Sequence, residues 1–230
     1  MSMKHPFLKV IVIAVAVAVV LTGCTPSGPS QAELEALQTA NTELTNQVAA
    51  LTEQVNALEE TLSASSAALL PKALAAIALI QDEDFAGLAL MVHPDGLRFS
   101  PYGYVDIAND LVFTAAEVAL LPTDTTLRTW GSFDGSGLPI ELAFAAYYDR
   151  FVYDQDFANP QFIGINNIIG MGNTLINLAD VYPDGEFVEF HFSGFDPQYE
   201  GMDWRSLRLV FEEVAGEWVL IGIVHDEWTI

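Results

Sequence analysis

Leu34, Leu37, Asn41, Leu44, Val48, Leu51, Val55, Leu58 and Leu62 recur at alternating spacings of three and four residues, a pattern that fixes the architecture of residues 32–62. The spacing places all nine on one seam of an α-helix, with leucine at every d position from Leu37 to Leu58. Sustained for about four heptads, it predicts a coiled coil. Valine at a with leucine at d favours two parallel strands, and the lone Asn41 at an a position fixes register at some cost in stability. Self-association through residues 34–62 as a parallel dimer is the expectation. A trimer is its rival, as is a single amphipathic helix folded back on its own domain. Gln38, Thr45, Gln47, Thr52 and Gln54 at e and g lack the charges that usually choose a partner. At about 1.5 Å per residue such a helix would span roughly 45 Å.

Upstream, Lys4, His5 and Lys9 precede an uncharged apolar run from Val10 to Leu21, which falls short of the roughly 20 residues of a comfortable membrane span. Residues 1–23 read as a signal peptide that is removed. The run ends in Leu21-Thr22-Gly23-Cys24, which resembles the lipobox of bacterial lipoproteins. That resemblance implies lipidation of Cys24 and cleavage before it. Diacylglycerol on the thiol, with a further acyl chain such as palmitate on the new N-terminus, supplies the two or more chains that stable anchoring needs. An uncleaved N-terminal anchor is the alternative, and both readings place the remainder outside the cytoplasm. Thr25 rather than Asp follows Cys24, so a two-membrane cell would be free to sort the protein to its outer membrane. Cys24 is also the sole cysteine, which excludes an intrachain disulfide framework. Residues 24–31, rich in Pro, Gly and Ser, form a flexible tether.

Loss of Lys4 and Lys9 with the leader leaves Lys72, Arg98, Arg128, Arg150, Arg205 and Arg208 against 31 acidic residues. Nucleic acid is thereby excluded as a partner, and the field repels anionic lipid headgroups, favouring a domain held away from the surface. The same acidity is compatible with adaptation to salt.

Ser63-Ala64-Ser65-Ser66 interrupts the heptads, and Pro71 suits the first turn of a new helix. Residues 63–66 are therefore expected to be a break and 67–230 one globular domain, long enough to bury a sizeable core. Helices lead it. Leu74, Ile77 and Ile80 lie at helical spacing, and a second helical stretch from Asp82 to Val92 is stopped by His93-Pro94-Asp95-Gly96. Thr114-Ala115-Ala116-Glu117 is a capping box closed by Pro122, and 142–152 reads as a further helix. Strands follow at 187–192, 206–212 and 217–225, with Val188, Phe190 and Phe192 on one face and Leu207, Leu209 and Phe211 on another. The fold class is α+β: N-terminal helices packed on an antiparallel sheet.

Helices first and a strongly curved antiparallel sheet last, ending on a Trp-containing strand, resemble the cone-shaped nuclear-transport-factor-two-like fold. The blocks at 93–102 (HPDGLRFSPY), 129–137 (TWGSFDGSG), 194–197 (GFDP), 199–204 (YEGMDW) and 222–230 (GIVHDEWTI) are similar to blocks in a group of bacterial cell-envelope proteins. That resemblance covers about residues 67–230 and implies no particular activity, since the wider fold hosts binders, isomerases, dehydratases and structural dimers.

Strong catalytic motifs are absent: there is no HExxH, Walker loop or GxSxG, and Gly170-Met171-Gly172 lacks the third glycine of a dinucleotide loop. Glu189 and His191 share a strand face, which permits an acid/base pair or half a metal site, although a solvent-facing polar strip is the expected reading. His93 is a third catalytic candidate. His225 and Asp226, being adjacent in a strand, point to opposite faces and form no dyad. Asp134-Gly135-Ser136-Gly137 is a tight turn rather than a calcium loop. Arg98, Arg205 and Arg208 each need a carboxylate partner or an anionic ligand; internal pairing is expected, with Asp196 or Glu189 as partners. Tyr102, Tyr104, Trp130, Trp204 and Trp228 are candidate pocket walls, or else core. No cofactor or metal is called for. The leading expectation is a non-enzymatic envelope lipoprotein whose stalk presents a domain that binds a small molecule or an envelope component. The rivals are a cofactor-independent acid/base enzyme using His191 with Glu189, or His93, inside the cone, and a purely structural dimerisation module.

Overall fold

The computed structural model describes residues 30–229, and for residues 58–66 the backbone alone. The signal peptide, Cys24 and nearly all of the tether lie outside the described residues. The chain divides into two units, residues 1–56 and 57–230.

From Gln31 the described residues of the first unit are helical and form the start of α1, Gln31–Gln81. Ser30 and Glu33 cap its N-terminus, the Ser30 amide donating to Glu33 Oε2 at 2.7 Å. Leu34, Leu37, Leu44, Val48, Leu51 and Val55 are all exposed, by 47% to 64%, so within one chain the heptad stripe is uncovered. Contrary to the break expected at 63–66 and a fresh start at Pro71, α1 runs helically through both, with Pro71 in its interior. Serine and alanine tolerate helical dihedrals at small cost, and proline forfeits one backbone hydrogen bond. On either side of Pro71, Leu69, Ala73, Ala76, Ile77 and Ile80 are buried, which offsets that loss.

The second unit is α+β, with helices packed on a curved, mostly antiparallel sheet. After α1 come α2 (Phe85–Ala89), β1 (Leu97–Ser100), β2 (Leu111–Phe113), α3 (Ala115–Val118), β3 (Arg128–Ser132), β4 (Pro139–Leu142), α4 (Phe144–Phe151), β5 (Phe162–Ile165), α5 (Leu178–Val181), β6 (Gly185–Phe192), β7 (Arg205–Val214) and β8 (Glu217–Glu227). Thr114 and Glu117 form the expected capping box on α3. The stretch from Asp82 to Val92 yields only the single turn of α2, because Asp84 caps a new start through the Gly87 amide. Six strands form one sheet in the order β2-β1-β8-β7-β6-β5, and β3 and β4 form a separate hairpin. All neighbours are antiparallel except β1 and β8.

Strand alternation sorts the central residues into two faces. Phe99, Val188, Phe190, Leu207, Leu209, Phe211 and Ile223 point to the helices and share one core with Phe85, Phe144, Tyr147 and Phe151. Trp130 lies at its centre, fully buried, stacked on Tyr147 at 3.8 Å between ring centroids and donating Nε1–H to the Leu142 carbonyl at 2.9 Å. Trp130 is thus core and not a pocket wall. The interior between sheet and helices is filled by aromatic rings. The other face, expected to be partly solvated, is covered as well: residues 101–110 and 166–182 lie over it, with Val105, Leu178, Tyr182, Val210 and Val224 forming a second apolar cluster. Trp130→Ala should therefore lower unfolding free energy by about 3–5 kcal/mol in urea titration; a loss below about 1 kcal/mol would contradict this packing.

Candidate functional site

A cavity of about 560 Å³ opens between the loop after β1, the β3–β4 hairpin and residues 173–175. Its floor and walls combine Tyr102, Tyr104 and Phe133 with Asp106, Asp110 and Asp134. Each wall is fixed by local polar bonds. Asp106 caps the turn it begins, accepting from the Ala108 amide at 3.0 Å and Asn109 Nδ2 at 2.7 Å, and its own amide donates to Asp110 Oδ2 at 2.9 Å. The Asn177 side-chain amide holds the loop like a strand neighbour, exchanging bonds of 2.8 and 3.0 Å with the Val105 amide and carbonyl. On the hairpin, Asp134 Oδ2 accepts from Thr229 Oγ1 at 2.6 Å and Thr174 Oγ1 at 3.0 Å. Those bonds hold its carboxyl below the usual range. Residues 134–137 are a turn, as expected. Gly131, at φ +107°, sits beside Asp110 in a conformation that other residues rarely adopt.

Asp110 is the unusual member. Only 7% exposed, it has no ion-pair partner among the described residues, and burial pushes its pKa up to about 6 despite the Asp106 amide. The Arg98 guanidinium reaches only its backbone carbonyl, at 3.1 Å. A fold that holds an acid protonated loses stability as pH rises from the unfolded pKa near 3.8 to about 6, because the unfolded chain ionises first.

The residues singled out for catalysis are elsewhere and are bound internally. Glu189 and His191 share a face, but not a solvated one: Glu189 is wholly buried and His191 nearly so, because residues 166–177 cover them. Glu189 accepts from the amides of Ile169 and Gly170 at 2.9 and 2.8 Å, from Ser206 Oγ at 2.6 Å and from Arg208 Nε at 3.1 Å. His191 bonds Ser206 Oγ at 2.8 Å, and burial lowers its pKa, so the ring is neutral at pH 7. Arg208, 0% exposed, also donates to Asp226 at 2.7 Å and the Gly170 carbonyl at 2.7 Å. Trp204 covers this cluster, close enough to Gly170 that a side chain there would collide with its ring.

On the helix-facing side, His225 Nε2 lies 3.3 Å from Asp154, and Arg205 pairs with Asp154 at 2.9 Å and Glu227 at 3.0 Å. Glu227 also pairs with Arg150. Burial opposes ionisation of Asp154, yet His225 and Arg205 more than offset it and lower its pKa. His225 and Asp226 take opposite faces, as expected. Arg205 and Arg208 are thus paired internally, Arg208 with the expected Glu189 and Arg205 with Asp154 and Glu227, not Asp196. His93 accepts from the Asp95 amide at 3.0 Å and lies 3.9 Å from Glu212. Trp228 borders a shallow cleft of about 280 Å³ with Arg205 and Glu227. Of the expected pocket walls, Tyr102 and Tyr104 line the cavity of about 560 Å³. Asp106, Asp110, Phe133 and Thr174 were not singled out by sequence, where only the dense Tyr-Gly-Tyr-Val-Asp run at 102–106 marks the spot. No cluster of three His, Cys, Asp or Glu suited to a metal occurs among the described residues.

No family model matches the chain and no curated relative matches it. Among solved structures it is similar to a putative calcium/calmodulin dependent protein kinase II association domain from Xanthomonas campestris, at 13% identity and a TM-score of 0.29, over 70% of this chain and 84% of that one. A similarity of that size carries no functional argument.

Two outcomes follow from these bonds. Arg208→Gln strands two buried carboxylates and should cost about 3–5 kcal/mol, whereas Arg205→Gln, with less buried partners, should cost about 1–3 kcal/mol. Equal midpoints for both variants in urea would contradict this ranking. Asp110→Asn should stabilise the protein by up to about 3 kcal/mol above about pH 7, with the gain vanishing below about pH 4. Thermal melts of parent and variant across that range check the sign.

Proposed function

We propose that this protein is a membrane-tethered binding module: lipid on Cys24 anchors it outside the cytoplasm, residues 34–62 associate as a parallel coiled coil, and the α+β domain takes a small ligand in the cavity walled by Tyr102, Tyr104 and Phe133. The observation that carries the binding role is Asp110. It is buried in the cavity wall without an ion-pair partner, where ionisation destabilises the fold, and a residue retained at such a cost is characteristic of a functional site. Three carboxylates beside three aromatic rings suit an organic cation, which gains from both charge attraction and ring faces. Titration calorimetry with choline as probe, against its uncharged carbon analogue, tests this. Saturable binding of choline alone, lost in Tyr102→Ala and Asp110→Asn, is expected. Equal or absent binding of both compounds would overturn the cation reading.

The exposed heptad stripe supports the stalk, since a run of exposed leucine and valine at a and d positions exists in water only when a partner covers it. Among the described residues no helix is long and apolar enough to cross a membrane, and attachment in this proposal rests on the Leu21-Thr22-Gly23-Cys24 motif. Replacing Leu44 and Leu51 together by Asn should convert dimer to monomer in sedimentation equilibrium at micromolar concentration, each lost leucine removing about 1.5–3 kcal/mol of burial. A parent chain that sediments as a monomer would refute the stalk.

A further inference from the structure

In a chain with so few cations, each one's partner is informative. Lys72 pairs with Glu217, Arg128 with Asp124, Arg150 with Glu227, Arg205 with Asp154 and Glu227, and Arg208 with Glu189 and Asp226. Among the described residues Arg98 alone has no carboxylate within ion-pair distance. Its one hydrogen bond is the Nη1 contact with the Asp110 carbonyl, leaving most of its donors unused. Arg98 lies opposite Gly222 across β1 and β8, on the face turned away from the helices.

The missing side chain at Gly222 makes room for Tyr182, whose hydroxyl would lie 2.9 Å from a Cβ at that position. Tyr182 is 7% exposed, and its hydroxyl is buried without a hydrogen-bond partner. Burial raises the phenol's pKa to about 12, with the nearby Arg98 guanidinium pulling against it. Both side chains line a cleft of about 490 Å³, separate from the cavity of Asp110, whose remaining polar lining includes the carboxylates of Asp95, Asp184 and Glu212. An unpaired guanidinium beside an unpaired buried hydroxyl asks for an anionic group. Three carboxylates around the same cleft would repel a simple anion and attract a cation.

We propose that this cleft binds a small zwitterion, its anionic end held by Arg98 and the Tyr182 hydroxyl and its cationic end facing Asp95, Asp184 and Glu212. The site is independent of the choline-type cavity, with which it shares no lining residue. β-Alanine is the probe, with propionate and ethylamine as the fragments carrying one charge each. Calorimetry on the full chain should show saturable β-alanine binding, with each fragment at least about tenfold weaker. Arg98→Gln should abolish it. Tyr182→Phe should weaken it about tenfold while leaving the melting temperature equal or higher, since the hydroxyl removed has no partner in the free protein. Tyr102→Ala, at a residue that lines the other cavity and not this cleft, should leave β-alanine binding unchanged. The proposal is overturned if the parent fails to bind β-alanine, binds propionate as tightly, or loses nothing on Tyr182→Phe.

Discussion

Arg208 is the residue on which the sheet's outer face depends. A guanidinium with no exposed surface is tolerable only if its charge and donors are met, and here Glu189 on β6, Asp226 on β8 and the Gly170 carbonyl meet them. Three adjacent strands and the covering segment therefore share one ionic centre. Glu189 in turn takes the amides of Ile169 and Gly170, so the segment 166–170, which has no ladder partner beyond β5, is pinned to the sheet by charge-assisted bonds. Once pinned, it excludes water from His191 and Ser206, and that exclusion is why His191 is neutral.

This arrangement explains what sequence could and could not reveal. The strands β6, β7 and β8 were legible because phenylalanine, leucine and valine alternate along them, and the capping box of α3 because Thr114 and Glu117 stand three apart. The polar half of the same alternation was misread. Glu189 and His191, or Ser206 and Arg208, have the pattern of a solvated face, and nothing local distinguishes that from a face buried by residues some twenty positions away. The short strands β1 to β5 were missed for a related reason: at three to five residues each they carry too few alternations to register, and they exist through pairing with β8, with β6 or with each other. The helix through Pro71 was missed because tertiary burial of Leu69, Ala73 and Ile77 outweighs a local breaker.

The candidate site was legible only in part. Tyr102 and Tyr104 were legible as candidate walls because they are aromatic, whereas Asp110 is one acid among many and becomes distinctive only through burial. Trp130, a candidate wall on the same footing as the tyrosines by sequence, proved to be the core's central filler. Size and polarity alone do not separate a wall from a core: the stacking partner Tyr147 and the Leu142 carbonyl satisfy Trp130 from within.

The distribution of positive charge gives the acidity a structural meaning. Four of the five arginines are spent on neutralising particular carboxylates at the seams between elements: Arg128 between β3 and the loop before it, Arg150 and Arg205 between α4 and the sheet, Arg208 within the sheet. Each of these four charges is thus matched by a carboxylate rather than left to soften the overall field. In such a setting any cationic ligand is drawn to the protein before it meets a specific pocket, and discrimination must come from shape and from the rare positive group. Arg98 is the one guanidinium not absorbed by the fold. Its position between the Asp110 carbonyl and the Tyr182 hydroxyl places that selective element beside the turn that also shapes the acidic cavity.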